Sequence, residues 1–574
     1  MDSSALPQEI FLLLCEELAA RRDFGTLFNC ALVSRRIASI ALEQIYRIQE
    51  YSPVSTGDTV YKSECLQLWR SIILSSVEKT VYPYCVYVRS LSLGNLEECL
   101  QDIIRDDFSR EMFFEGPMKQ FLVLRKGDGR HAEADETEPP SIDTKNTMVK
   151  CADSITKCIK RLADDTGTAV SLAHLEGTSI PYDMLPTWIS RIGTLTSLRI
   201  RDGSVLGVEA ARAISECCPY FVDLTCFYCM SSSVTSSYYP LDGYPSQNST
   251  ADDDLAAFFR TLRPNSLRSF EVISQNSIGK NALTALNSHA ASLRSLVLRN
   301  LTPQAMKALN SFPGCTSLEK LLIENDLYNL VDLSEYPDDM VNEVSAWICK
   351  CKSLRDLSFS HFIGSHPIIK DVLNSPDIRL TSLSIISIHS GTELEETATW
   401  TALGLQEHVE SLTLGRHEGT TNFLIEARPR LVDSICQLKN MVSLNLKQVH
   451  LTEEVVERIA AALPNLSEFS FSGEPLEDNV LPHLSKIPKL KVLCINSPTR
   501  FSLEALYDFG CALMIPDRTG IKVEILNQLG EYKFLQSEYD QLQKHFIKHP
   551  KGRLEITYLR DPDEHEIDFS DLSD

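Results

Sequence analysis

A chain of 574 residues is too long for a single compact core and requires either several domains or a repeat array. Its 55 basic and 78 acidic side chains give a formal net charge of -23, which argues against a general nucleic-acid or anionic-membrane binder and leaves protein partners as the expectation. The 17 cysteines are scattered rather than gathered in a small loop-rich domain, so a reducing compartment, cytoplasmic and/or nuclear, is expected.

No basic start, apolar core and small-residue cleavage site marks a secretory signal. The longest apolar run, Ile10 to Cys15, is far short of the roughly 20 residues a membrane helix needs, so no membrane is expected as a partner. Ile10, Leu13, Leu14 and Leu18 fall near i, i+3, i+4 and i+8, an apolar stripe on a helix that Pro7 can open because its missing N–H is not needed there. A second apolar segment, Phe24 to Leu32, leads to Ser34, whose hydroxyl is suited to cap a third helix reaching Tyr46. On that helix Ile37, Ile40, Ala41 and Ile45 form the side expected to be buried. Three short helices make a very small core, which needs a partner or a neighbour to be stable.

The order Leu6-Pro7-Gln8-Glu9-Ile10, a short leucine helix, then Ala31-Leu32-Val33-Ser34-Arg35-Arg36 and Leu42-x-x-x-Tyr46 resembles the F-box of fungal F-box proteins, over Leu6 to about Arg47. The resemblance implies docking of a Skp-family adaptor through Leu6, Pro7, Ile10, Leu14 and Leu18. Residues 48–87 come next as a helical connector, in which Trp69, Ile72, Ile73 and Leu74 predict packed structure rather than a free linker.

From there one phrase recurs: apolar-x-x-apolar-x-apolar. Clear instances are Leu195/Leu198/Ile200, Leu293/Leu296/Leu298, Leu318/Leu321/Ile323, Leu354/Leu357/Phe359, Leu380/Leu383/Ile385, Met441/Leu444/Leu446, Leu466/Phe469/Phe471 and Leu490/Leu493/Ile495. Weaker ones are Val88/Leu91/Leu93, Phe221/Leu224/Cys226, Leu267/Phe270/Val272 and Val409/Leu412/Leu414. Where units succeed one another cleanly the step is about 24 to 26 residues, inside the leucine-rich-repeat range of about 20 to 29. The alternating pair is a short strand with one buried face. Helical spacing comes after it, as in Val456, Ile459, Ala460 and Leu463 after Thr452, with Pro464 ending the helix. The fold class expected is α/β, a three-helix F-box followed by a leucine-rich-repeat solenoid with short parallel strands on the concave face and helices on the convex face.

The division expected is 1–47 F-box, 48–87 connector, 88–530 solenoid, and 531–574 a C-terminal segment with an acidic tail. Insertions are expected near 126–150, 230–252 and 326–340, where the period breaks. No phosphate-binding glycine loop and no Ser/His/Asp or Cys/His signature occurs, so no catalytic residue and no cofactor is assigned. Cys226-Phe227-Tyr228-Cys229, with Cys217-Cys218 upstream, is the one cluster like a zinc ligand set, but Cys218 and Cys226 fall on core-facing repeat positions and are assigned to the core, leaving no metal site.

F-box proteins with leucine-rich repeats serve as substrate receptors of Skp/cullin/F-box (SCF-type) ubiquitin ligases, and the resemblance implies that role. The F-box would bind the Skp adaptor and through it a cullin, the repeats would bind an unknown protein substrate, and catalysis would belong to other subunits. Residues between the repeat leucines would line the concave surface, namely Arg199, Arg201, Arg299, Lys320, Asp356, Ser358, Asn445 and Lys447. The basic members suit an acidic or phosphorylated segment. Phe227, beside the second insertion with Tyr238, Tyr239 and Tyr244, adds an aromatic contact. Two alternatives remain open at this point: a ligase-independent F-box and repeat scaffold, and a leucine-rich regulator of a small GTPase.

Overall fold

The computed structural model describes residues 7–559 except 22, 48–58, 126–140, 168–169, 230–249, 302, 313, 326–330, 387–392, 416–428, 474 and 515–519. The chain forms two compact units, Met1–Leu293 and Arg294–Asp574.

The first unit begins with three helices, α1 (Gln8–Ala20), α2 (Phe24–Val33) and α3 (Arg35–Arg47). Pro7 stands at the N-cap of α1, the Asp23 carboxylate accepts the Thr26 N–H at 3.0 Å to cap α2, and Ser34 Oγ accepts the Ile37 N–H at 3.3 Å to cap α3. Their shared core is Cys15, Ala19, Leu27, Ile40 and Ala41, with Phe11, Leu18, Phe24 and Ile45 packed against it. Only Leu27 and Ile40 of the fully buried set are large, so the three helices hold together weakly by themselves. The connector steadies them: the Tyr46 ring stacks on Tyr84 with centroids 4.5 Å apart, and its hydroxyl lies 2.7 Å from Ser71 Oγ. Burial pushes the Tyr46 phenol up to about 12.

The connector is ordered where described. Helix α4 (Thr59–Ser76) buries Trp69, Ile72 and Ile73, and Trp69 Nε1–H donates to Asn95 Oδ1 at 2.7 Å. The short α5 (Tyr84–Tyr87) then leads to β1 (Ser90–Ser92), α6 (Leu93–Ile104), α7 (Asp107–Phe113) and the long α8 (Thr144–Thr166). Four more strands come after them, β2 (His174–Gly177), β3 (Ser197–Asp202), β4 (Asp223–Tyr228) and β5 (Ser269–Val272), and β1 to β5 pair in parallel. Leu91, Leu175, Leu198, Leu224 and Phe270 form one register column, all buried against the intervening helices.

The second unit carries twelve further strands among the described residues, ten of them in one parallel sheet. Those ten are β6 (Ser295–Leu301), β7 (Lys320–Asn325), β8 (Asp356–Ser360), β9 (Ser382–Ile386), β10 (Ser411–Gly415), β11 (Ser443–Leu451), β12 (Glu468–Gly473), β13 (Val492–Ser497), β14 (Lys522–Asn527) and β15 (Arg553–Tyr558). Each strand pairs with the next, so that Leu296, Leu321, Leu357, Leu383, Leu412, Leu444, Phe469, Leu493, Val523 and Leu554 form a second column. Parallel neighbours need a crossover, and the helical stretch after each strand provides it. Helix, strand and register thus repeat together, and each unit of the repeat buries its leucines against its neighbours.

Several expectations are corrected. Residues 144–150, assigned to the first insertion, are the opening turns of α8, capped by Asp143, whose carboxylate accepts the Asn146 N–H at 2.9 Å. Within the second, Thr250 caps a helix Ala251–Thr261. Within the third, Val331–Asp332 pairs with Phe362–Ile363 as a small parallel ladder, and a helix Asp338–Cys349 comes after it. Residues 126–140, 230–249 and 326–330, and the acidic tail, lie outside the described residues. The repeat also continues past residue 530, through the helix Gln536–Lys548 into β15. Thr452 stands at the N-cap of the helix Glu453–Ala462 but its side chain makes no capping bond there.

One buried histidine ties two repeats together. His289, fully buried, accepts the Leu267 N–H at Nδ1 (3.3 Å) and lies 3.2 Å from the Phe259 carbonyl at Nε2, a pair of contacts that suits the neutral ring with its proton on Nε2. Burial holds its pKa below the usual 6.5. The unfolded chain therefore takes up the proton more readily than the folded one, and stability falls as pH drops below about 6.5. His289→Gln is expected to flatten the slope of melting temperature against pH between 7 and 5, measured side by side with the unmodified chain.

Candidate interaction surfaces

Helix α1 is apolar nearly all round over Ile10 to Cys15, which gives it two apolar faces instead of one. Phe11, Cys15, Leu18 and Ala19 turn into the three-helix core. Ile10, Leu13 and Leu14, expected on one stripe with Leu18, turn the other way and stand 40%, 60% and 51% exposed. Leu18 is thus a core residue with partial exposure. Pro7 is exposed at the helix start, and Leu6 lies outside the described residues.

Helix α2 enlarges the outward apolar set with Phe28, Leu32 and Val33, 55%, 70% and 71% exposed. Leu32 and Val33 belong to the motif Ala31 to Arg36, but none of the three was expected to face a partner. The signal was available: Phe28 and Leu32 are four apart and so share a helix face, and Leu27 one position away fills the core instead. The N-terminal helices therefore expose more large apolar side chains than they bury, a pattern that marks a surface meant to be covered.

The open face of the sheet, opposite the helices, carries the second group of candidates. In the first unit Arg199 and Arg201 are exposed and alternate with buried Leu198 and Ile200 along β3. The Arg199 guanidinium lies 5.0 Å over the Phe227 ring from β4, so these two form one contact surface. The register neighbour of Arg199 on β2 is Glu176, which accepts from Ser92 Oγ at 3.0 Å. The face is therefore mixed in charge, with a basic centre.

Arg299 and Lys320 belong to the second unit and are already engaged. Arg299 pairs with Glu324 at 3.3 Å, and Lys320 reaches Asp356 at 3.9 Å. Burial pushes the Glu324 carboxyl up, opposed by Arg299. Ser358, Ser384, Thr413, Asn445 and Ser470 stand in one register row on consecutive strands, so the middle of this face is small and uncharged. Of the expected concave positions, Asp356, Ser358 and Asn445 lie on this face.

No protein-family model and no curated protein matches the chain. Among solved structures, a chain of the yeast Rad7 and Elc1 complex aligns over 78% of this chain and 91% of its own length, with 14% identity and a TM-score of 0.38. A chain of the TLR13–ssRNA13 complex aligns over 65% of this chain and 55% of its own, with 12% identity and a TM-score of 0.30. These are distant likenesses, and the surfaces above stand on their own geometry.

Cys218 and Cys226 are buried, and burial raises the Cys218 thiol to about 11. A hydrogen bond with Cys229, then burial, raises Cys226 further. Among the described residues no group of three His, Cys, Asp or Glu side chains is arranged to hold a metal ion, and no helix is long and apolar enough to cross a membrane.

Proposed function

We propose that this chain is a non-catalytic substrate receptor of an SCF-type ubiquitin ligase, acting in the cytoplasm or nucleus. The observation that carries the reading is the outward apolar face of α1 and α2, Ile10, Leu13, Leu14, Phe28, Leu32 and Val33, beside a core too small to stand by itself. A Skp-family adaptor covering that face would supply the burial the three helices lack. Its F-box character rests on the resemblance of Leu6 to about Arg47.

The repeats would hold the protein to be ubiquitinated. Arg199, Arg201 and Phe227 offer a basic and aromatic contact for an acidic or phosphorylated segment, whereas the acid partners of Arg299 and Lys320 leave those two with less to give. The physical contribution is proximity: a target held by the repeats is kept at high effective concentration near the ubiquitin-charged enzyme.

The test is co-purification of the intact chain with a Skp-family adaptor and a cullin, beside a Leu6→Ala/Pro7→Ala variant. Recovery of both partners by the intact chain and their loss from the variant is the expected result. Recovery of the adaptor without the cullin would favour a ligase-independent scaffold, and recovery of neither would remove the F-box reading.

A further inference from the structure

Two buried thiols meet where the connector packs on α8. Cys85 of α5 donates to Cys158 of α8 with the sulfurs 3.7 Å apart, 73 residues apart in the chain. Both residues are buried, at 0% and 3% exposure, and both are held by the end of α4: the Cys85 N–H donates to Ser75 Oγ at 2.9 Å, and Cys158 Sγ lies 4.0 Å from the Ser75 carbonyl. The two thiols are not equivalent. Arg161, one turn along α8, donates from Nη2 to Cys158 Sγ at 3.7 Å and pairs with Glu78 at 2.6 Å. That ion pair is largely solvent-exposed, so Cys158 lies just beneath the surface and Cys85 behind it.

We propose that Cys158 and Cys85 form a peroxide-sensitive thiol pair, in which Cys158 is oxidised first and Cys85 resolves it to a disulfide that ties the connector to α8. The hydrogen bond from Cys85, aided by the Arg161 guanidinium, brings Cys158 down to about 7 against the opposing effect of burial. The same bond, with burial, drives Cys85 upward. Thiolate character is what makes a cysteine a nucleophile toward peroxide, and a neighbouring thiol is what turns the product into a disulfide.

In the first step the Cys158 thiolate attacks one oxygen of hydrogen peroxide and the O–O bond breaks. Cys158 becomes a sulfenic acid, and the departing hydroxide takes a proton to form water. The Cys85 sulfur then attacks the Cys158 sulfur, and the hydroxyl leaves with the Cys85 proton as a second water. Two thiols have lost two electrons and one peroxide has become two waters. The sulfurs must close from 3.7 Å to about 2.05 Å, which side-chain rotation can accomplish in part and a small shift of the short α5 can complete. The inference does not depend on the ligase reading.

The experiment treats the full chain with one equivalent of hydrogen peroxide, blocks remaining thiols, and maps cross-linked peptides by mass spectrometry, beside Cys85→Ser and Cys158→Ser variants. The expected result is loss of two free thiols per chain, a peptide joining Cys85 to Cys158 that a dithiol reductant removes, and dimedone labelling of Cys158 in Cys85→Ser. Oxidation of the intact chain that consumes the exposed Cys511 but yields no Cys85–Cys158 peptide overturns the proposal, whether or not the variants fold. Dimedone labelling of Cys85 in Cys158→Ser as strong as that of Cys158 in Cys85→Ser would overturn the assigned order.

Discussion

Replacing Leu13 and Leu14 together by glutamate is expected to weaken the proposed adaptor binding by at least 100-fold while leaving the fold intact. Both side chains are more than half exposed in the free chain, so their change removes little from the three-helix core. Surface changes of this kind usually shift stability by about 0.5 kcal/mol or less. In a complex that covers them, each leucine contributes about 1.5 to 3 kcal/mol, and every ~1.4 kcal/mol is a factor of ten in affinity. The added carboxylates would also be desolvated against an apolar partner, which increases the loss. Titration calorimetry with the purified adaptor measures the affinity, and a thermal melt of the same variant measures the fold. Leu27→Ala is the contrast: Leu27 is wholly buried, so that variant is expected to lose stability and binding together. Unchanged adaptor affinity in the double glutamate variant would eliminate the α1 face as the docking site.

Trp347→Ala is expected to destabilise the second unit by about 3 to 5 kcal/mol. Trp347 is buried in the helix Asp338–Cys349, its ring stacks on Phe312 with centroids 5.2 Å apart, and its Nε1–H donates to the Cys315 carbonyl at 3.0 Å. It therefore joins one repeat to the one before it, and its removal takes away both packing and a buried donor. Trp347→Phe keeps most of the ring contact and loses the indole N–H bond, while the Cys351 thiol still reaches the Cys315 carbonyl at 3.5 Å, at a cost of about 0.5 to 1.5 kcal/mol. Urea unfolding followed by circular dichroism separates the two variants. Equal losses in both would mean that the hydrogen bond, rather than the stacked ring, carries the effect.

The repeat was legible because a parallel strand with one buried face writes its period directly into the sequence. Leu198 and Ile200, Leu444 and Leu446, and Phe469 and Phe471 are buried as that period requires, and neighbouring strands match apolar residue to apolar residue. The strand His174–Gly177 escaped notice because Gly177 occupies its last apolar position, where a Cβ would run into the Ile180 side chain. At the far end, Val523 and Ile525 and then Leu554 continue the column, but Gly520 and Lys551 stand where the phrase has its first apolar residue.

The proposed docking surface was only half legible, for a physical reason. When a helix is apolar on most of its circumference, as α1 is from Ile10 to Cys15, hydropathy alone does not say which side meets its own core. The answer depends on where α2 and α3 pack, and that is a tertiary fact. The same limit applies to charge on the open face. Arg299 and Arg199 look alike in sequence, yet one is paired across the ladder with Glu324 and the other lies over an aromatic ring. The Cys85–Cys158 approach was equally hidden, since no local motif links residues so far apart.

The ladder itself raises a hazard that its ends are built to meet. A parallel sheet that ran off into unpaired N–H and C=O groups would offer a template to the next chain, and stacked repeats would be seeds for end-to-end polymerisation. The first strand of the first unit is only three residues, Ser90–Ser92, too short to nucleate such pairing. The last strand of the second unit carries Arg553 and Glu555, ion-paired along the strand. An incoming strand would have to strip water from both charges in order to dock. A short first strand in the first unit and a charged last strand in the second each resist being lengthened by a strand from another copy of the chain.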